Sequence, residues 1–93
     1  MKEARQLPSS PDIEARIAAN PGDLGARLDL ANLYIAHSAY EEALAQLIEI
    51  VQRDRAYEDD IGRKTMLKVF ELANANPELV SRYRRLLSSA ILK

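Results

Sequence analysis

Few residues of this 93-residue chain have the type and spacing that catalysis or metal binding requires. His37 is the only histidine, and no serine and aspartate stand in a pattern that would make it a general base. A surface histidine at the end of a helix is therefore the favoured interpretation. Cysteine is absent, which excludes disulfides, thiol chemistry and sulfur ligands in this chain. We therefore expect no catalytic residue, no cofactor and no enzymatic activity.

Three consecutive acids, Glu58-Asp59-Asp60, form the one group that resembles a cation site. They lack the glycine-bearing loop with alternating oxygen ligands that calcium binding uses. Negative charge is favourable at the start of a helix, so we interpret them as capping acids that complement a helix dipole. The three glycines are isolated from one another, so no phosphate-binding loop is predicted.

Composition indicates one small all-α domain. The net charge is −1, which gives no overall field for nucleic acid or a membrane surface. No apolar run approaches the roughly 20 residues of a membrane span, and the N-terminus lacks the apolar core of a signal peptide. We expect a soluble, cytoplasmic protein with a linker or disordered terminus at residues 1–9 and a helical domain at residues 10–93.

The stretch from Leu24 to Asp54 predicts two helices folded back on each other, with the break at His37-Ser38. Apolar residues recur at helical spacing on both sides of the break. Ser38 followed three residues later by Glu41 predicts a capping box at the start of the second helix.

Three more helices are predicted around this pair. Ser10 as cap and Pro11 at the first position start a helix that ends near Ala19 and turns Ile13, Ile17 and Ala18 inward. A turn at residues 20–23 follows. Helix 4 is expected from about Ile61 to Ala73. Helix 5 is expected from about Glu78 to Ile91, with Asn76 as its cap and Pro77 at its first position.

The central pair resembles one tetratricopeptide repeat, a helix-turn-helix unit of about 34 residues. The residues that carry the resemblance follow a large, small and aromatic order: Leu30, Ala31, Tyr34, Tyr40, Ala43, Leu47 and Ile50. The sequence departs from the pattern at Arg27, where the family usually has tryptophan, and at Arg55, where it has proline. A shift of 36 residues indicates a degenerate second repeat with core residues Met66, Leu67, Phe70, Leu79, Tyr83 and Leu86. The expected architecture is a right-handed stack of about five antiparallel helices, two and a half repeats.

In this family the first helix of each repeat lines a concave groove that holds peptides. Carried over by position, that groove would be lined by Leu28, Asn32, Ile35, Lys64, Lys68 and Glu71. The alternative is that so short a stack has almost no groove and that these residues cover intramolecular contacts.

A second candidate surface is the basic cluster on helix 5, Arg82, Arg84 and Arg85. A solvated helix face is the favoured interpretation, ahead of an acidic protein partner. Nucleic acid comes last, because no aromatic residues are interleaved to stack bases.

Residues 13–92 have a narrower resemblance, to the C-terminal region of bacterial thioredoxin-like proteins of the YbbN type, or chaperedoxins. The most specific blocks are residues 41–55, 62–72 and 83–91. The resemblance implies that this chain is a fragment of a longer protein with an N-terminal thioredoxin fold. It also implies a role in holding unfolded clients and delivering them to chaperonin, within redox-linked protein quality control. The chaperonin contact is associated with the C-terminal helix, here residues 78–93.

The sequence therefore leads to two alternative predictions of function. The first is a protein-interaction module of a thioredoxin-like co-chaperone, with chaperonin or unfolded clients as partners. The second is a structural module that forms a homodimer or packs on its own thioredoxin domain. The apolar face at Ile13 and Ile17 favours the second, because the first half of that repeat is missing from the sequence.

Overall fold

Residues 10–92 of the computed structural model are described, and they form five α-helices, which confirms the all-α class. The predicted linker at residues 1–9 lies outside the described residues. The helices, in chain order, are α1 (Pro11–Ala19), α2 (Leu24–Ala36), α3 (Tyr40–Arg53), α4 (Tyr57–Leu72) and α5 (Pro77–Ile91).

Three helix starts are fixed by side-chain caps. The Ser10 hydroxyl accepts a hydrogen bond from the Ile13 N–H at 3.4 Å, as the sequence predicted. Asn76 accepts one from the Leu79 N–H at 3.2 Å, and Pro77 occupies the first helical position. At α2 the Asp23 carboxylate accepts from the backbone N–H of residue 26 at 3.0 Å. Each cap satisfies a backbone donor that has no partner within its own helix.

Asp23 predicts an acid-dependent contribution to stability. Its pKa is held below the usual range, first by the hydrogen bond from the Ala26 N–H and then by the Arg16 guanidinium. A carboxylate with a lowered folded-state pKa stabilises the fold above its unfolded pKa, and that contribution disappears as the pH falls through the folded value. We expect Asp23→Asn to melt below the wild type at pH 7, with the difference closing below about pH 4.

Thermal melts between pH 2 and pH 8 measure this effect. Asp12→Asn is the matched control, because it makes the same charge change on a helix whose cap is Ser10. An Asp23→Asn difference that stays constant across the range would contradict the assignment.

The turn between α2 and α3 differs from the prediction. Ser38 does not cap α3. The N-cap is Ala39, which makes no side-chain cap bond, so the predicted capping box with Glu41 was wrong. Ser38 instead has a left-handed backbone with φ of 59° and ends α2. Its N–H bonds to the carbonyl of Ile35 at 3.0 Å, and the Ala39 N–H bonds to the carbonyl of Tyr34 at 2.8 Å. These two bonds define a Schellman motif, in which the left-handed position is usually glycine.

Replacing Ser38 with glycine is expected to stabilise the protein. A Cβ in the left-handed region is sterically unfavourable, and glycine removes it. After the greater freedom of glycine in the unfolded chain is subtracted, the free energy of unfolding should rise by about 0.5–1 kcal/mol. Urea denaturation measures it. Ser88→Gly, in the right-handed interior of α5, is the control and should lower stability by a similar amount.

Helix α4 begins at Tyr57, four residues before the predicted Ile61, but its first turn is irregular. Glu58, Asp59 and Asp60 have φ values of 50°, 58° and 68°, so regular right-handed geometry starts only at Ile61. The acids make no side-chain cap bond, which corrects the capping interpretation. Two of them form short-range ion pairs instead, Asp60 with Arg63 at 2.6 Å and Asp59 with Lys64 at 3.1 Å.

Helix α3 lies at the centre of the packing. It contacts α2, α4 and α5, whereas α1 packs chiefly on α2. The molecule is a flat layer whose extents are 45 × 34 × 16 Å. Helix α5 packs chiefly on α3, and its backbone comes close to that of α4 at few points.

Most of the predicted core residues are inside. The buried ones are Leu30, Ala31, Ala43, Leu47, Ile50, Met66, Phe70 and Leu79, and Tyr34, Tyr40 and Tyr83 are half-buried. Leu67 and Leu86 are not core residues, since 38% and 40% of their surfaces are exposed. Val69 and Leu87 are buried in the core instead, because α4 and α5 each turn a neighbouring stripe toward α3. On α1, Ile13 and Ile17 are half-buried, and Ala18 is exposed rather than inward.

Gly62 is buried where α4 crosses α3. A Cβ built on it would lie 2.9 Å from Cγ2 of Val51 and 3.2 Å from Cγ2 of Ile50. Such distances are shorter than van der Waals contact, so the two helices approach this closely only because residue 62 has no side chain. Gly62 therefore sets the separation of α3 and α4.

Candidate functional site

The three arginines predicted as a basic cluster lie on the exposed surface of α5 but make different contacts. Arg82 pairs with Glu41 of α3 at 2.9 Å, with both side chains more than half exposed. Arg84 lies over the ring of Phe70 in α4, 5.0 Å from its centroid. Arg85 is exposed and lines a shallow depression with Pro77 and Arg82. Two of the three cations thus have intramolecular roles, and Arg85 is the one whose replacement disturbs the fold least.

The predicted concave lining divides into two groups. Leu28 and Ile35 of α2 pack against the hydrophobic core. Asn32, Lys68 and Glu71 are exposed, as is Lys64, whose ammonium is paired with an acid of the first turn of α4. The two apolar members thus contribute to intramolecular packing, and the polar members remain on the surface.

A groove between α4 and α5 was not predicted. One depression of about 400 Å³ lies near the connecting turn and is lined by Phe70, Glu71, Val80 and Arg84, among others. A second, of about 410 Å³, lies at the far end of the same helix pair and is lined by Asp60, Arg63 and Ile91, with Arg55 and Ala56 from the connection before α4. The groove could have been predicted from Leu67 and Leu79, because these two bulky residues stand at positions where the preceding repeat has alanine.

The far end of the groove is closed by Arg55. Its Nη1 donates a hydrogen bond to the backbone carbonyl of Ile91 at 3.0 Å. The last carbonyls of a helix have no intrahelical partner, and a cation is favourable there. Arg55 thus holds the C-terminal end of α5 against the α3–α4 connection.

Two tyrosines have pKa values shifted from their ordinary range. Burial raises the pKa of the Tyr83 phenol, and burial also raises that of Tyr34. Within residues 10–92, no group of three acidic, histidine or cysteine side chains is placed to hold a metal ion. No helix in that range is long and apolar enough to cross a bilayer.

These features define a helical-repeat protein. The comparison with family models agrees: the model described as tetratricopeptide repeat matches residues 3–91. The chain belongs to the tetratricopeptide repeat family, whose repeats generally mediate protein–protein interaction. No curated protein and no solved structure matched the chain.

Arg27 shows how the repeat accommodates the loss of the usual tryptophan. Its Nη1 donates to the side-chain oxygen of Gln46 in α3 at 3.0 Å, and its Nε donates to the Pro21 carbonyl at 2.8 Å. The long side chain therefore joins α2 to α3 and to the preceding turn by hydrogen bonds.

Proposed function

We propose that this chain is the protein-interaction module of a bacterial, cytoplasmic thioredoxin-like co-chaperone, which delivers unfolded clients to chaperonin. The similarity of residues 41–55, 62–72 and 83–91 to that family supports the co-chaperone part. The observation that carries the interaction part is the exposed surface of α5. There Arg85 makes no ion pair with any of residues 10–92 and adjoins a leucine, Leu86, that is 40% exposed. An exposed cation beside exposed apolar surface suits a partner with acidic and apolar groups.

Binding of purified chaperonin to the immobilised 93-residue chain tests the proposal. Arg85→Glu should weaken binding by about threefold to tenfold, because one exposed charge pair contributes up to about 1 kcal/mol and its reversal adds repulsion. Gln52→Glu, an exposed site on α3, adds negative charge elsewhere and should leave binding unchanged. Absence of binding by a chain that circular dichroism shows to be folded would refute the proposal.

A second candidate function is structural: the module dimerises or packs on its own thioredoxin domain. The observation in its favour is α1, whose Ile13 and Ile17 remain half-buried and which packs chiefly on α2. In a repeat stack the outer side of such a helix is covered by another helix.

Light scattering at several concentrations, and titration with the separate thioredoxin domain, test the structural candidate. A dimer, or a complex weakened by Ile13→Glu, would favour it. A chain that stays monomeric and does not bind the thioredoxin domain would eliminate it.

A further inference from the structure

We propose that the first turn of α4 is a conformational switch that controls the C-terminal end of α5. In the form described above, residues 58–60 have a left-handed backbone and Arg55 holds the end of α5. In the second form, residues 58–60 are right-handed, α4 is one regular turn longer, and the contact of Arg55 with α5 is broken. The switch belongs to the chain itself and does not depend on the partner proposed above.

The left-handed turn is made of residues that do not favour it. Glu58, Asp59 and Asp60 have φ/ψ values of 50°/50°, 58°/45° and 68°/31°, which are those of a left-handed helix. Residues with a Cβ enter this region singly, at turns, so three in succession without a glycine accumulate the steric cost of each. Such a turn persists only where surrounding contacts oppose its conversion.

Asp60 adds an electrostatic cost to the left-handed form. Its Oδ2 accepts from Arg63 at 2.6 Å, but its Oδ1 is buried and has no hydrogen-bond partner among the described residues. A buried carboxylate oxygen without a donor has lost its hydration and gained nothing in return. A rearrangement of this turn that exposes Oδ1 to water would remove that cost.

The same three acids are well suited to a right-handed first turn. Carboxylates are favourable at the N-terminus of a helix, where backbone N–H groups have no partner. In a right-handed turn Asp60 and Lys64, four residues apart, become neighbours, whereas Asp59 and Lys64, five apart, do not. The Asp59–Lys64 ion pair of 3.1 Å therefore belongs to the left-handed form, and an equivalent pair is ready to replace it in the other form.

Contacts of the preceding segment hold the left-handed form in place. The Ala56 N–H donates to the Asp54 carboxylate at 3.2 Å, and the Tyr57 N–H donates to the Asp54 carbonyl at 3.1 Å. Tyr57 is half-buried and packs against the core. Arg55 donates to the Ile91 carbonyl at 3.0 Å. The left-handed turn is the piece of chain that joins this fixed segment to the regular part of α4.

Conversion of the turn necessarily acts on α5. Helix α4 beyond Ile61 is held close to α3 at Gly62, so a change of handedness redirects the chain that precedes it. The segment 54–57 must then leave its position, which separates the Arg55 guanidinium from the Ile91 carbonyl. The last turn of α5 loses the cation that satisfies its terminal carbonyl and becomes free to open.

Substitutions at residue 59 test the backbone part of the switch, because the Asp59 side chain is 95% exposed. Asp59→Gly removes the Cβ and favours the left-handed form, so the melting temperature should rise by about 2–8 °C. Glu71→Gly, at an exposed right-handed position of the same helix, is the matched control and should lower it by a similar amount. Asp59→Asn removes the charge but tolerates the left-handed region, so it should change little.

Asp59→Ala tests the coupling to α5. Alanine disfavours the left-handed region and favours a helix, so the right-handed population should rise about fivefold. Carbon chemical shifts and HN–Hα couplings of residues 58–60 measure the backbone form, and hydrogen exchange of residues 88–92 measures the end of α5. The exchange should accelerate by about threefold to fivefold. Arg55→Gln should produce the same acceleration, and Arg53→Gln, an exposed arginine of α3, should not.

Three results would overturn the inference. The first is a wild-type chain whose residues 58–60 are right-handed. The second is an Asp59→Ala variant that is less stable but keeps residues 58–60 left-handed, which would identify a static turn. The third is a conversion of the turn in Asp59→Ala with unchanged exchange at residues 88–92, which would exclude the coupling through Arg55. None of these results affects chaperonin binding by the chain, which is measured separately.

Discussion

Replacing Gly62 with valine is expected to lower the free energy of unfolding by about 2–3 kcal/mol, the upper part of the range of about 1–3 kcal/mol for overpacking a well-packed contact. The Cβ alone would lie 2.9 Å from Val51 and 3.2 Å from Ile50, and the Leu47 carbonyl is 3.5 Å away on the same side. Valine adds two more methyl groups to a space that has no room for one. Helices α3 and α4 must therefore separate, and the contact between them is weakened along its length.

The alanine variant measures the same contact without risking the fold. On helix propensity alone, glycine to alanine would stabilise by about 1 kcal/mol. At residue 62 the steric overlap opposes this gain, so Gly62→Ala should be neutral or destabilising. Gly25→Ala is the control, because its Cβ meets the hydroxyl tip of Tyr57 at 3.3 Å, a side-chain end that can move. Urea denaturation that finds both alanine variants equally stabilising would contradict the close α3–α4 crossing.

Ala43→Leu is expected to lower the free energy of unfolding by about 1–3 kcal/mol. Ala43 lies on α3 and has no exposed surface, and α3 packs closely on α2. Ala31, on α2, is likewise fully buried. Small residues at such sites allow two helix backbones to approach, and a leucine there forces them apart or adopts an unfavourable rotamer.

Ala45→Leu is the matched control for this prediction. It makes the same substitution on the same helix at an exposed position, where leucine costs little. Thermal melts of the two variants should differ by several degrees, since 1 kcal/mol corresponds to about 4–8 °C in a domain of this size. An unchanged melting temperature for Ala43→Leu would mean that the repeat register derived from the sequence is wrong.

Helix starts with side-chain caps were predictable because the cap is a local interaction. Ser10 and Asn76 bond to backbone donors three residues away, so sequence spacing determines the geometry. The turn at Ser38 had the same sequence pattern but a different outcome. There the two hydrogen bonds of the Schellman motif pair with carbonyl groups in the last turn of α2, and they require a left-handed backbone at residue 38. A serine used to end one helix cannot also cap the next.

Features that depend on the distance between helices were not predictable from spacing alone. The 36-residue shift placed Leu67 and Leu86 in the core because Ala31 and Ile50 occupy those positions in the preceding repeat. The shift assumes that α5 packs on α4 as α3 packs on α2, and α5 packs chiefly on α3 instead. From the sequence, Gly62 was interpreted only as an isolated glycine. Its role in the close α3–α4 contact depends on the α3 side chains that lie opposite it, and the sequence spacing does not show them. The α4–α5 groove also results from this packing, because α5 lies against α3 rather than closely against α4.

The central position of α3 has a consequence for hydrogen exchange. Its amides can exchange with solvent only when neighbours on several sides have separated, because α2, α4 and α5 all pack on it. Helix α1 is joined chiefly to α2, partly through the ion pairs of Arg16 with Asp23 and Asp29, and it can open alone. Local openings therefore form a sequence that starts at the outer helices and ends at α3, whose slowest amides report the stability of the whole domain.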